Sequence, residues 1–174
     1  MGSRRQGSDP RVGYDESWYY ATAKGLVQHP QLTESVDADV CIVGAGYTGL
    51  SAAIELAEQG LKVVVLESHR VGAGASGRNG GVLGMGQRKD QDELEVMLGL
   101  DVAKQMWQVA CDANGLVRDR IKRYAIECDL TDGELHVAHR ERYVDDLRRY
   151  NDHLAEHYGY TERRHVSREE VRAM

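Results

Sequence analysis

Asp39-Val40-Cys41-Ile42-Val43-Gly44-Ala45-Gly46-Tyr47-Thr48-Gly49-Leu50 is the stretch from which the rest of the chain is read. Val40 to Val43 is a short, continuous apolar run, the pattern of a strand buried on both faces as in a parallel sheet. Glycines follow at once. From Tyr47 to Gln59, Leu50, Ala53, Ile54 and Ala57 recur at helical spacing, and Gly60 supplies a stop. Lys62 to Glu67 contains Val63-Val64-Val65-Leu66, a second buried strand. Strand, helix and strand within about 30 residues predict a βαβ unit.

Gly44-Ala45-Gly46-Tyr47-Thr48-Gly49 is therefore G-x-G-x-x-G in the context that gives the pattern its meaning, directly after a strand and opening a helix. Gly44 permits the sharp turn out of the strand. Gly46 has no Cβ, so a pyrophosphate can approach the backbone. Gly49 lets the helix lie close on the strands. Unpaired N–H groups and the positive helix end favour phosphate charge there. Glu67 ends the second strand, where a carboxylate can accept from the adenosine ribose hydroxyls and disfavours a 2′-phosphate. The competing reading, a turn that merely happens to be rich in glycine, explains neither the strands nor the acid.

A second tract, Gly72-Ala73-Gly74-Ala75-Ser76-Gly77-Arg78-Asn79-Gly80-Gly81, begins shortly after Glu67. A nicotinamide domain would run from the acid into a plain loop and the next helix. Here flexible backbone, a hydroxyl, an amide and a guanidinium come together, which suits the extended pyrophosphate and ring system of FAD. The bland alternative is a flexible glycine linker.

Beyond it, Asp92 to Tyr124 reads as helix in two pieces broken near Gly99. The second piece carries an apolar stripe through Val102, Met106, Val109, Ala113, Leu116, Val117, Ile121 and Tyr124. Ile126 to Leu130, Thr131-Asp132-Gly133 and Glu134 to Ala138 predict a β-hairpin. His139 to Tyr158 predicts a helix with Tyr143, Leu147, Tyr150 and Leu154 on one face, and Glu162 to Val166 a strand. Ser167-Arg168-Glu169-Glu170 fits a capping box announcing a helix, yet the chain stops at Met174. A helix that short and a parallel sheet of two strands predict an incomplete domain. The fold class expected is α/β: a Rossmann-like FAD-binding βαβ unit, then helices and a hairpin. The expected divisions are an N-terminal leader over 1–36, the βαβ unit and glycine-rich loop over 37–90, and a helical segment opening a substrate domain over 91–174.

Composition narrows the function classes. With 41% hydrophobic and 29% charged residues the chain is of the globular type, and a net charge of -6 offers no pull towards nucleic acid or anionic lipid. The Arg-rich pieces, Arg118 to Arg123 and Arg163-Arg164, sit among acids and read as solvated faces. No run of about 18 apolar residues predicts a membrane span. Met1 to Pro10 is polar, lacks the apolar segment of a secretory signal, and reads as a disordered leader. Cys41, Cys111 and Cys128 lack metal or disulfide spacing, and reduced, buried thiols in a cytoplasmic protein are expected. His153-Leu154-Ala155-Glu156-His157 matches H-x-x-E-H, which on a helix could present two zinc ligands, but no third ligand is marked. The charged surroundings place both histidines on a wet face, and no metal is expected.

Several stretches resemble one family: Tyr19-Tyr20-Ala21, Ala38 to Gly44 with Tyr47-Thr48-Gly49-Leu50, Gly74 to Gly81, and Arg120 to Tyr124 with Cys128-Asp129. The chain, from about Tyr19 to Val171, is similar to the gamma-glutamylputrescine oxidase group of the D-amino-acid oxidase superfamily of FAD-dependent oxidoreductases. The Gly74 to Gly81 tract is far more specific than G-x-G-x-x-G. Two departures from the family stand out: just beyond this tract Val82 replaces a frequent Gln, and family members run to over twice this length. The resemblance implies oxidation at the C–N bond of a small-molecule amine or amino acid. It implies that Gly44, Ala45, Gly46, Tyr47, Thr48, Gly49 and Glu67 hold the ADP half of FAD. Ser76, Gly77, Arg78, Asn79, Gly80 and Gly81 then run beneath the pyrophosphate towards the isoalloxazine. No catalytic acid or base is singled out, and the oligomeric state is not legible. The rival readings are a flavin dehydrogenase that passes electrons to an acceptor other than oxygen, and an inactive nucleotide-binding fragment.

Overall fold

The computed structural model describes residues 17–174, so all of Met1 to Pro10, expected to be disordered, and the first 16 residues of the leader expected over 1–36 lie outside the described residues. The described residues form two compact units, one ending at Gly81 and the other running Val82–Met174.

The first unit holds the βαβ element. Strand β1 (Val40–Val43) and strand β2 (Val63–Leu66) pair in parallel, with Val40 opposite Val63 and Val43 opposite Leu66. Parallel neighbours need a long crossover, and the 12-residue helix α2 (Tyr47–Glu58) supplies it. The entry to the pair is tied twice: Asp39 N–H donates to Lys62 O at 2.9 Å, and Lys62 N–H to Asp39 Oδ2 at 2.8 Å. Upstream lies the short helix α1 (Trp18–Thr22), capped by the Ser17 hydroxyl, which accepts from Tyr20 N–H. The Arg70 guanidinium stacks 3.9 Å from the Tyr20 ring centroid, fastening this segment to the loop after β2.

One expectation for the sheet fails in detail. β2 is half-buried throughout, but β1 alternates, with Cys41 exposed and Val43 85% exposed. Successive strand residues face opposite ways, and α2 covers one face of the pair. The thiols depart likewise: all three are free, but Cys41 and Cys128 are exposed and Cys111 half-buried.

The second unit is helical. Helix α3 (Gln91–Leu98) and helix α4 (Leu100–Arg123) meet at Gly99, whose φ of +83° supplies the expected break. They pack through Leu94, Ala103, Trp107 and Ala110, with Leu154 of helix α5 (Val144–Tyr158) fully buried. The Trp107 ring meets Tyr158 and Tyr160 at 5.4 and 5.3 Å. The buried face of α4 is thus Ala103-Trp107-Ala110 rather than the larger apolar stripe, of which Val102, Val109, Leu116, Val117 and Tyr124 are exposed. Alanines let α3 approach α4 closely, and one tryptophan fills the remaining space. α5 begins at Val144, after a single 3₁₀ turn at Glu141–Tyr143, and ends at Gly159 with φ +65°. Helix α6 (Arg168–Ala173) carries the predicted capping box, Glu170 N–H to Ser167 Oγ at 3.2 Å and Ser167 N–H to Glu170 Oε2 at 2.7 Å.

The hairpin over 126–138 and the strand over 162–166 do not form: both stretches are irregular. An isolated pair of strands is marginal in water unless a third strand or a helix covers its apolar face. Here Ile126, Leu130, Leu135 and Val137 stay exposed. Asp129, held at φ +51°, interrupts the extended run, and Arg118 draws Asp132 to 2.6 Å instead. Among the described residues the only sheet is the β1–β2 pair, and residues 162–166 are not part of it.

Candidate functional site

The site lies where β1 hands over to α2. Gly44 turns the chain at φ +104° while its N–H donates to Leu66 O at 2.7 Å, so the turn is tied to the end of β2. Gly46 caps α2 but offers no side chain to its first turn. By position the N–H groups of Gly46, Tyr47, Thr48 and Gly49 have no acceptor within the helix. A Cβ on Gly49 would sit 2.1 Å from Gly44 O, so only glycine allows this packing of helix on turn. A Cβ on Gly46 would sit 3.0 Å from Ser76 Oγ, so this glycine keeps open the approach of the second tract.

Glu67 closes the other side. Its Oε2 accepts from Ala45 N–H at 2.8 Å and its Oε1 from His69 N–H at 3.0 Å, with the Ser68 hydroxyl at 3.3 Å. The Ala45 N–H holds the Glu67 carboxyl below its ordinary value against the opposing effect of burial, and the His69 and Ser68 bonds add to it. Oε2, which accepts one bond here, keeps a further lone pair for a ligand hydroxyl.

The second tract folds back to the first. Gly72 N–H donates to Ala45 O at 2.9 Å. Ser76, in a 3₁₀ turn at Ala75–Gly77, accepts from Tyr47 N–H at 2.9 Å and so occupies one donor of the α2 terminus. A Cβ on Gly77 would lie 2.3 Å from Gly72 O, a second close approach that requires glycine. Asn79 Nδ2 donates to Ser76 O at 2.9 Å and to the Tyr47 hydroxyl at 3.1 Å, and Asn79 Oδ1 accepts from Gly81 N–H.

Between these elements is a cleft of about 270 Å³, lined by Gly46, Glu67, Ser68, His69, Gly74 and Ser76 among others. It is smaller than the roughly 300–1,000 Å³ of whole-ligand pockets and suits one portion of an extended molecule. Gly46, Glu67 and Ser76 thus line one cleft. Gly44, Ala45, Tyr47, Thr48 and Gly49 frame the cleft rather than line it. Arg78, Asn79, Gly80 and Gly81 stand beyond it, exposed or facing their own turn. Ser68 and His69 were missed by sequence reading. The signal that could have found them is their place immediately after the acid, whose carboxylate they hydrogen-bond. The donor set fits a dinucleotide diphosphate: unpaired helix amides, glycines that remove Cβ atoms, and a carboxylate set for hydroxyls.

The histidine pair of α5 resolves differently from expectation. His157 is exposed, but His153 is half-buried, its Nε2 2.8 Å from Glu95 Oε1, which also accepts from the Tyr158 hydroxyl at 2.5 Å. The Glu95 partner on α3 draws His153 off the wet face. Among the described residues no group of three or more His, Cys, Asp or Glu is placed to hold a metal ion. No helix among them is long and apolar enough to cross a membrane.

A crossover βαβ with two interlocked glycine tracts and a terminal acid defines a flavin-type dinucleotide fold, and residues 39–174 match the family described as FAD dependent oxidoreductase (DAO). The chain belongs to this family of FAD-dependent enzymes. It is 42% identical to the gamma-glutamylputrescine oxidoreductase of Escherichia coli (strain K12) over 146 residues, 84% of this chain and 34% of that protein. It is also 42% identical to a probable oxidoreductase OrdL of Haemophilus influenzae over 83% of this chain and 33% of that protein. With the OrdL of Rhizobium meliloti the identity is 39% over 89% of this chain and 36% of that protein. The chain spans about a third of the length of these relatives. No solved structure matches it.

Proposed function

We propose that this chain is the cofactor-holding front portion of an oxidoreductase that acts on the C–N bond of a small-molecule amine. The observation that carries the reading is the meeting of Gly46, Glu67 and Ser76 around one cleft, at a helix terminus whose amides lack intrahelical partners. In this reading the amides of Gly46, Thr48 and Gly49 receive the diphosphate, and Glu67 receives the ribose hydroxyls. Gly44 and Ala45 shape the turn. The stretch from Ser76 through Gly77, Arg78, Asn79 and Gly80 to Gly81 leads towards the reacting ring, with Arg78 contributing positive charge. Bound FAD supplies the acceptor for the electron pair taken from the substrate. The protein's part is to orient the cofactor, exclude competing contacts and keep the carboxylate ionised.

Support for an amine substrate comes from the relative named a gamma-glutamylputrescine oxidoreductase, whose identity extends through the glycine tracts and into the helical unit. The expected divisions at 36/37 and 90/91 remain part of this proposal, with the helical unit opening the substrate side.

Titration of the chain with FAD, followed by flavin fluorescence, tests the cofactor half, and saturable quenching is expected. A protein extended by the remaining two thirds of the relatives' length tests the chemistry. Anaerobic addition of gamma-glutamylated or free polyamines should bleach its visible flavin absorbance, and admitting oxygen should release hydrogen peroxide. Bleaching by amines with electrons passed only to an artificial dye would replace the oxidase by a dehydrogenase. An unbleached flavin with every amine tried would overturn the substrate class.

A further inference from the structure

The two glycine tracts are joined largely through one residue. The second tract pairs with no strand, and several of its hydrogen bonds are internal: Gly77 N–H to Gly74 O, Arg78 N–H to Ala75 O, Asn79 Nδ2 to Ser76 O and Gly81 N–H to Asn79 Oδ1. Among the described residues, three bonds tie it to the first turn. One is Gly72 N–H to Ala45 O at 2.9 Å. The other two end on Tyr47: its N–H donates to Ser76 Oγ at 2.9 Å, and its phenol oxygen accepts from Asn79 Nδ2 at 3.1 Å. The G-x-G-x-x-G pattern leaves this position open to any residue, so the motif does not account for a tyrosine here.

We propose that Tyr47 is a positioning residue that latches the second glycine tract onto the first, setting Ser76 at the cleft before cofactor arrives. The latch rests on the reading of the cleft as the FAD site. Gly46 has no side chain to cap α2, and Ser76 supplies the missing cap from 29 residues away. Because the Ser76 oxygen accepts from Tyr47, its own O–H proton is left to donate to an acceptor in the cleft that Ser76 lines. The Asn79 bond to the phenol holds the far side of the same turn, so Ser76 is fixed at both ends. The absent Cβ at Gly46 is what admits the Ser76 hydroxyl at this distance.

Tyr47→Phe removes only the phenol oxygen, and Asn79→Ala removes its donor. Both variants and the double variant are compared with the parent chain by amide hydrogen exchange of residues 75–81 without ligand, by FAD affinity from fluorescence quenching, and by melting temperature. Each single change should speed exchange in 75–81 and weaken FAD binding roughly two- to tenfold. Asn79→Ala also loses its bonds to Ala75 O, Ser76 O and Gly81 N–H, so the double should be no worse than Asn79→Ala alone, in which the phenol bond is already broken. Melting temperature should hardly move, which separates positioning from general support of the fold. Parent-like exchange in Tyr47→Phe, or additive losses in the double variant, would overturn the latch. A parent chain that ignores FAD would overturn the cofactor reading instead, and the exchange comparison would still decide the latch.

Discussion

The Ala45 N–H donates to Glu67 Oε2 at 2.8 Å, joining the first glycine turn to the acid that ends β2 across 22 residues. The acid therefore does two things: it braces the turn and it faces the cleft. Glu67→Gln keeps the shape but loses the charge and presents an amide where an acceptor is required. FAD affinity should fall by roughly tenfold, the scale of a hydrogen bond to a charged group. An unchanged dissociation constant would remove Glu67 from the cofactor site.

The glycines differ sharply in what they tolerate. Gly49→Ala would place a Cβ 2.1 Å from Gly44 O, and backbone cannot yield as a flexible side chain can. A loss of about 3 kcal/mol in urea unfolding is expected. Gly46→Val should leave more of the fold intact but displace Ser76, and flavin binding should vanish while helical circular dichroism persists. Gly115, mid-way along α4 with open space around it, is the contrasting case. Gly115→Ala should stabilise the chain by about 0.5–1 kcal/mol.

Acid should weaken both units through identifiable carboxylates. Glu67 is held low chiefly by the Ala45 N–H. Burial pushes Glu95 up, but bonds from Tyr158 and His153 leave it below its ordinary value of 4.5. A carboxyl held low in the folded chain stabilises it above the unfolded value and loses that contribution as pH falls through the folded one. Melting temperature should therefore drop as pH is lowered below about 4.5, and Glu95→Gln should flatten part of that drop. A melting curve equally steep in Glu95→Gln would show that the α3–α5 contact carries no charge dependence.

Tyr158 gives the alkaline counterpart. Burial, and then the hydrogen bond to Glu95, push its hydroxyl up to about 12. An unfolded tyrosine ionises near 10, so this contribution is present below 10 and is lost as pH rises towards the folded value. Ultraviolet titration should show a late-ionising phenol that Tyr158→Phe removes. If the late step survives the substitution unchanged, another phenol carries it, Tyr150, which burial also pushes up, being the first to test.

Local pattern was enough to recover βαβ, the glycine turn between strand and helix, the Gly99 break and the α6 capping box, because each depends on neighbours within a few residues. Glycine without a Cβ and valine in an extended run behave alike in any context. The hairpin over 126–138 read just as clearly, and it failed because a strand is stable only with a partner for its face and edge. Likewise the apolar stripe of α4 was real, yet Ala103, Trp107 and Ala110 became its buried face because they are what α3 and α5 meet.

By itself the sequence determined where the glycine turn between strand and helix forms, since turn, helix start and terminal acid are written within one span of about 30 residues. Only tertiary structure decided that Ser76 caps a helix begun 29 residues earlier, that Asn79 reaches Tyr47, and that His153 turns to Glu95 rather than to water. Those contacts join residues distant along the chain, and no local pattern records which distant partners will be brought within hydrogen-bond reach.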